Sequence, residues 1–177
     1  RPVPEAAVPE PVLAFLDRVR RDHDGDQQEE RLGPDLDEVD DGLGRILRLL
    51  EKLGTLDNTV VVLTSDHGYF YGEHGLGGER RLAYEETIRI PLIVRYPPLA
   101  RAGATPRELV MSIDVAPTLL AIAGLTPSTR IQGRSLVPIL QGSAGSWRSS
   151  VLIEYFTDTV YPRIRNMGYT AVRTDRY

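Results

Sequence analysis

The apolar positions of this chain follow two patterns, one periodic and one continuous. Leu36, Val39, Leu43, Ile46, Leu50 and Leu53 recur at spacings of 3, 4, 3, 4 and 3, the signature of one helical stripe. Gly54 stands just beyond it, where a helix C-terminus favours a left-handed residue. The plain meaning of such a stripe is packing against a sheet. Residues 59–64 (TVVVLT) then form a β-branched run with little alternation, and residues 90–96 (IPLIVRY) form a second apolar run. Strands that are apolar on both faces belong to parallel sheets covered by helices. Helix, buried strand, crossover and buried strand therefore predict an α/β layered fold, with the helix over 36–53 covering the strand.

Ser112 or Asp114 is placed to cap a helix that runs through Ala123 and stops at Gly124, with Pro117 tolerated in its first turn. A short helical turn is expected over 135–140. Residues 151–156 and 169–174 read as two short strands joined by a segment containing Pro162 and Gly168, an antiparallel pair in a second layer or subdomain. Residues 1–34 are different in character. A short helical stretch with Val12, Leu13, Phe15, Leu16 and Val19 follows a proline-rich opening, and residues 20–34 are almost wholly polar and read as an exposed loop. Asp22, Asp24 and Asp26 suggest a calcium loop, but Gly25 occupies its fourth rather than sixth position and Gly33 stands where the closing Glu belongs.

Charge adds little: 21 Lys plus Arg against 25 Asp plus Glu leave a net −4, with no basic stripe that would mark a nucleic-acid partner. No apolar run reaches the 18 or so residues of a spanning helix. The chain has no cysteine, which excludes disulfides, thiolate metal sites and cysteine nucleophiles within it and is compatible with either redox compartment.

Candidate chemistry clusters after the first strand. In an open α/β sheet, ligands bind beyond the carboxyl ends of strands, and Ser65-Asp66-His67-Gly68 stands there. Asp66 offers a hard anionic oxygen and His67 a nitrogen donor, a pair suited to a divalent metal. His74 lies between glycines in Tyr71-Gly72-Glu73-His74-Gly75, followed by Arg80, Arg81 and Tyr84-Glu85-Glu86. A metal, an imidazole and a guanidinium on one loop suit an oxyanion such as sulfate or phosphate. The plainer alternative is a glycine-rich surface loop whose arginines pair with Glu73, Glu79, Glu85 or Glu86. Ser135 lacks a nucleophile-elbow pattern.

Four blocks resemble the second half of the sulfatase catalytic domain, in consistent order and spacing: residues 39–76, 80–97, 113–140 and the closing AVRTDRY. The fold this resemblance implies is that of the alkaline phosphatase superfamily, here a partial central sheet flanked by helices with the start of a small antiparallel C-terminal subdomain. In these terms residues 1–34 are an irregular N-terminal segment with a short helix, 35–142 the C-terminal half of the α/β domain, and 143–177 the beginning of the subdomain. The family hydrolyses sulfate esters with a formylglycine made from Cys or Ser within C/S-x-P-x-R. A divalent cation, usually calcium, binds two early acidic residues and a later Asp-Asn or Asp-His pair. The resemblance assigns that pair to Asp66 and His67, whose histidine form is also similar to phosphonate monoester hydrolases, some of which use manganese. A sulfate-contacting Lys four residues before the Tyr of YEE maps to Arg80, although ungapped counting from His67 reaches Glu79. His74 is a second candidate for the same anion.

No C/S-x-P-x-R motif and no counterpart of the early acidic ligands occur in these 177 residues. The resemblance therefore implies an internal or C-terminal piece of a sulfatase, with half a metal site and the formylglycine expected upstream. Its substrate would be a small-molecule or glycan sulfate ester. Two alternatives stay open: a phosphonate or phosphate ester hydrolase on the same scaffold, and a non-catalytic module that keeps the scaffold alone.

Overall fold

A computed structural model of the chain describes residues 29–77, 80–156 and 168–176, with the side chains of 29–37 left aside. The short helix expected around residues 12–19, the three aspartates of the candidate calcium loop and Glu79 lie outside the described residues. Two compact units are recognised: one comprises residues up to Leu63 with Leu92–Pro98, the other Thr64–Pro91 with Leu99–Tyr177.

In the first unit, helix α1 (Glu29–Lys52) ends as the sequence predicts. Gly54 adopts φ 67°, its N–H donates to the Glu51 carbonyl at 2.9 Å, and the Thr55 N–H donates to Leu50 at 3.0 Å. This pair of bonds satisfies carbonyls that the helix leaves open. Two expectations for this helix fail. It begins at Glu29, within the stretch read as loop, and accommodates Pro34 in its second turn. Its packed side also differs from the 3-4-3-4-3 stripe. Leu47 and Gly44 are buried with Leu43 and Leu50 half-covered, whereas Val39, Ile46 and Leu53 are 56%, 58% and 63% exposed. The helix has two adjacent apolar seams about 100° wide together, and periodicity alone does not say which one packs.

Strand β1 (Val61–Thr64) pairs with β2 (Leu92–Arg95), so both predicted apolar runs are strands and neighbours. Val61, Val62 and Leu63 are half-buried rather than covered on both faces. Among the described residues neither face of this two-stranded sheet is fully covered, and that leaves its side chains only half-buried. Arg95 secures the turn at Leu56–Asn58 ahead of β1, donating to the Leu56 carbonyl at 2.9 Å and to Asp57 at 2.6 Å.

The second unit contains α2 (Glu85–Ile88), α3 (Val115–Ile122), α4 (Val137–Leu140) and the antiparallel strands β3 (Ser150–Tyr155) and β4 (Tyr169–Thr174). The last two pair from Ser150↔Thr174 to Tyr155↔Tyr169, as the tail of the sequence predicts. Alternation along β3 is regular, with Val151, Ile153 and Tyr155 inward and Leu152 out, the period-2 pattern of a half-covered sheet.

Asp114 is the hub of this unit. It is fully buried, and its carboxylate accepts two N–H groups of Arg148, one at 2.8 Å, together with the backbone N–H groups of Met111 and Arg134, both at 2.8 Å. Its own carbonyl accepts the Thr118 hydroxyl at 2.6 Å, and that hydroxyl accepts the Leu136 N–H at 2.8 Å. Arg148 also lies 5.1 Å from the centre of the Trp147 ring, whose indole N–H donates to the Leu109 carbonyl at 2.7 Å. The buried apolar residues Leu136 and Ile139 belong to the segment this network holds.

Burial alone would raise the carboxyl pKa of Asp114, but the Arg148 guanidinium and the two backbone donors outweigh it and hold the carboxyl below its ordinary value. The folded state thus favours the ionised form. Its contribution to stability is present above the unfolded value near 3.8 and is lost as pH falls through the lower folded value. In Arg148→Met the carboxylate keeps its burial and loses its cation. Urea denaturation at neutral pH should show a loss of about 3–5 kcal/mol. The variant's pH dependence should also reverse, with stability rising on acidification because protonation removes a buried charge.

Candidate functional site

The segment after β1 folds on itself through short polar contacts. Asp66 Oδ1 accepts the His67 N–H at 2.9 Å, and the Ser65 hydroxyl donates to the His67 carbonyl at 2.8 Å. The His67 backbone donor holds the Asp66 carboxyl below its ordinary pKa, so the exposed group is ionised at neutral pH. The Asp66 and His67 side chains approach each other, Oδ2 to Nε2, at 3.4 Å, and His67 Nδ1 lies 2.9 Å from the Gly68 carbonyl. In a neutral ring with the Nδ1 proton on that carbonyl, Nε2 is the nitrogen open to a metal ion. Two donors of different type thus face one exposed location. Among the described residues no group of three or more His, Cys, Asp or Glu side chains comes together that could hold a metal ion. The pair fits one edge of a cation's coordination shell.

What fixes this turn is contact with α2. The Gly68 N–H donates to the Thr87 carbonyl at 2.9 Å, and a Cβ at Gly68 would lie 1.9 Å from the Glu86 carbonyl oxygen. Only glycine permits so close a backbone crossing. Thr87, itself buried, donates its hydroxyl to the carbonyls of Leu82 and Tyr84, closing the approach to α2 into a compact loop.

His74 reaches the same short helix from the other direction. Its Nε2 is 3.1 Å from Glu86 Oε1, and its ring lies 4.6 Å from Tyr84 and edge-on to the fully buried Phe70 at 6.1 Å. The backbone there has φ 56° and ψ 18°, a left-handed conformation uncommon outside glycine. The ring contacts and the Glu86 partner hold it. The Asp66–His67 turn, through Gly68, and His74, through its ring, are thus each tied to residues 86–87 by a separate contact. Arg80 is exposed at the start of the segment leading into α2, directly before Arg81. Of the acidic partners considered for this loop, Glu85 pairs with Arg173 at 2.5 Å and more distantly with Arg89 at 4.0 Å.

Phe70 and Thr87, which help organise the site, carry no sequence signal of their own, and Glu86, read from the sequence as an arginine partner, meets His74. The glycine that follows the Asp-His pair was the available clue, since a required close approach is one reason for glycine after a strand. Gly68→Ala should disrupt the Gly68–Thr87 bond and displace the Asp66–His67 turn. Amide exchange at Gly68 and its neighbours should accelerate by at least tenfold while exchange in α3 is unchanged. Retained protection at this turn would mean the backbone shifts without cost.

Comparison with known proteins gives the site its context. The family model described as N-sulphoglucosamine sulphohydrolase, C-terminal, matches residues 72–177, and that for type I phosphodiesterase / nucleotide pyrophosphatase matches residues 12–83. The N-acetylglucosamine-6-O-sulfatase of Bacteroides thetaiotaomicron is 46% identical over 121 residues, covering 67% of this chain and 22% of that protein. The human N-acetylglucosamine-6-sulfatase is 43% identical over 119 residues, covering 66% and 21%. This chain thus spans about a fifth of the length of these curated relatives. A solved structure in complex with its substrate D-glucosamine-2-N,6-O-disulfate superposes with a TM-score of 0.70 at 42% identity, over 77% of this chain and 28% of that one. The phosphonate monoester hydrolase of Silicibacter pomeroyi superposes with a TM-score of 0.64 at 33% identity, over 67% and 23%. The matched blocks, their order and the shared fold lead to one conclusion: the chain belongs to the sulfatase family of the alkaline phosphatase superfamily and corresponds to the C-terminal part of its catalytic domain.

Proposed function

We propose that this chain serves in sulfuric ester hydrolysis, contributing part of a cation site and part of an anion site to a sulfatase. The observation that carries the reading is the Asp66–His67 pair, an ionised carboxylate and an imidazole facing one exposed location on a turn locked against residues 86–87. Asp66 and His67 would hold a divalent cation together with donors from outside this sequence, and the cation supplies charge stabilisation for transferring oxygens. Calcium is the family's usual metal; the imidazole makes manganese a reasonable occupant too. Arg80 would meet the ester's negative oxygens with up to two parallel hydrogen bonds. The ring of His74, held against Tyr84 and Glu86, would line the same anion.

These residues bind and orient. The covalent step belongs to the formylglycine the family carries, for which these cysteine-free 177 residues hold no precursor motif. The substrate class that fits is a sulfated amino sugar, supported by the similarity to a structure holding a glucosamine disulfate. A second reading, hydrolysis of phosphonate monoesters, draws on the histidine of the pair and the likeness to a phosphonate monoester hydrolase. Relative rates on an aryl sulfate and a phenyl phosphonate ester separate the two.

Two outcomes are expected. The 177-residue chain by itself should not turn over an aryl sulfate, and calorimetric titration should give calcium and manganese dissociation constants of about a millimolar or weaker, since two donors leave most of a six- to eight-oxygen shell to water. Micromolar binding abolished by Asp66→Ala would overturn that. In a full-length sulfatase carrying this segment, Arg80→Ala should lower kcat/KM by about 100-fold or more, the effect of removing one donor to developing negative charge. Glu79→Ala should have far less effect. The reverse order would place the anion contact one residue earlier.

A further inference from the structure

The contacts around Arg80 extend beyond its own loop. Tyr169 and Arg173 lie four residues apart on β4, on one face of the strand and about 13 Å apart along it. The Tyr169 hydroxyl donates to the Arg81 carbonyl at 2.6 Å, and Arg173 Nε donates to Glu85 Oε1 at 2.5 Å. Both bonds span 88 residues of sequence and land on either side of the stretch Leu82-Ala83-Tyr84. Neither end is loose. Tyr169 stacks on Tyr155 across the β3–β4 pair, at 5.8 Å and 15° between planes, and Arg173 faces Val151 in the register of the same pair. Between the two anchors, Thr87 closes the segment internally through Leu82 and Tyr84, and its carbonyl holds Gly68 and with it the Asp66–His67 turn.

We propose that Tyr169 and Arg173 are positioning residues for the anion site: β4 clamps the segment 81–85 at two points and thereby sets where Arg80 stands relative to the Asp66–His67 pair. The physical case is one of entropy. An exposed arginine on an unanchored loop samples many backbone states, and each one lost on binding sulfate weakens binding. Fixing the backbone carbonyl directly after Arg80 and the carboxylate four residues further on removes that loss in advance. Arg173 has a second effect. It neutralises Glu85, whose free carboxylate in the same segment would oppose an incoming anion. The opposite face of β4, carrying Thr170 and Val172, is exposed and has no such part.

This inference rests on the reading of Arg80 as an anion contact, and the experiment separates the two. Sodium sulfate is titrated into the 177-residue chain while the Arg80 side-chain NMR signal is followed, and amide exchange is measured at Thr87, Ile88 and Arg89, whose N–H groups bond to Tyr84 and Glu85. Tyr169→Phe and Arg173→Gln should each accelerate exchange at these amides and weaken sulfate binding, by about tenfold for the lost charge-assisted bond of Arg173. Arg173→Lys should recover most of the affinity. Thr170→Ala should match wild type, and exchange at Leu136 near Asp114 should stay constant in all variants, which a general loss of stability would not allow. Unchanged exchange at Thr87–Arg89 with unchanged sulfate affinity overturns the clamp. A wild-type chain that gives no Arg80 response to sulfate overturns the anion reading, while accelerated exchange in the variants would still establish the clamp on the loop.

Discussion

Everything in the larger unit that can be traced to one charge pair traces to Asp114 and Arg148. A carboxylate with no exposed surface is tolerable only when each of its lone pairs finds a donor, and here four donors from three separate segments supply them. That requirement brings together the turn before α3, the segment ahead of α4 and the approach to β3. Charge in this place selects one arrangement of backbone, because any other leaves a buried anion unsatisfied. Apolar packing of Leu136 and Ile139 then fills the space the polar network has defined.

The loop that carries Arg80 depends on this arrangement at one remove. Arg148 stands two residues before the strand β3, β3 registers β4, and β4 presents Tyr169 and Arg173 to the loop that carries Arg80. The Asp66–His67 turn is tied to the far end of the same loop by the Gly68–Thr87 bond. The chemistry-bearing side chains are exposed, yet the backbone beneath them is held by buried or long-range contacts. Such a division suits a binding site: accessible tips on a rigid base.

What could be read from the sequence was local. The Gly54 and Gly124 helix ends, the two apolar runs and the paired strands of the tail are set by neighbours within a few residues, and all appear where the pattern places them. The Asp-His pair was visible because its position after a strand carries meaning by itself. What escaped was set by distant partners. Asp114 stands at the N-cap position of α3 as the sequence suggests, but its carboxylate makes no cap bond there and meets an arginine 34 residues away. The packed seam of α1 is not fixed by periodicity, because Leu47 and Gly44 compete with Ile46 and Val39 for the inner side, and only the neighbours decide. Tyr169 and Arg173 alternate with Thr170 and Val172 like any half-buried strand, so nothing marked them as contacts of a loop 88 residues earlier.

That separation of 88 residues has a consequence for time rather than for energy. Contacts close in sequence form early, and long loops close late because chain entropy must be lost before the contact repays it. The turn at Asp66 and the helix at Glu85 exist as polypeptide well before β4 is synthesised, so the loop between them must wait for the strand that anchors it. During that interval it is held only by its own short-range bonds, through Thr87 and Gly68. A domain built in this order fixes the loop between Arg80 and Glu85 as one of its last steps, after the residues of the Asp114 hub have been made. Synthesis that stalls before residue 169 would therefore yield a chain with its Asp66–His67 turn in place and the loop that carries Arg80 still unset.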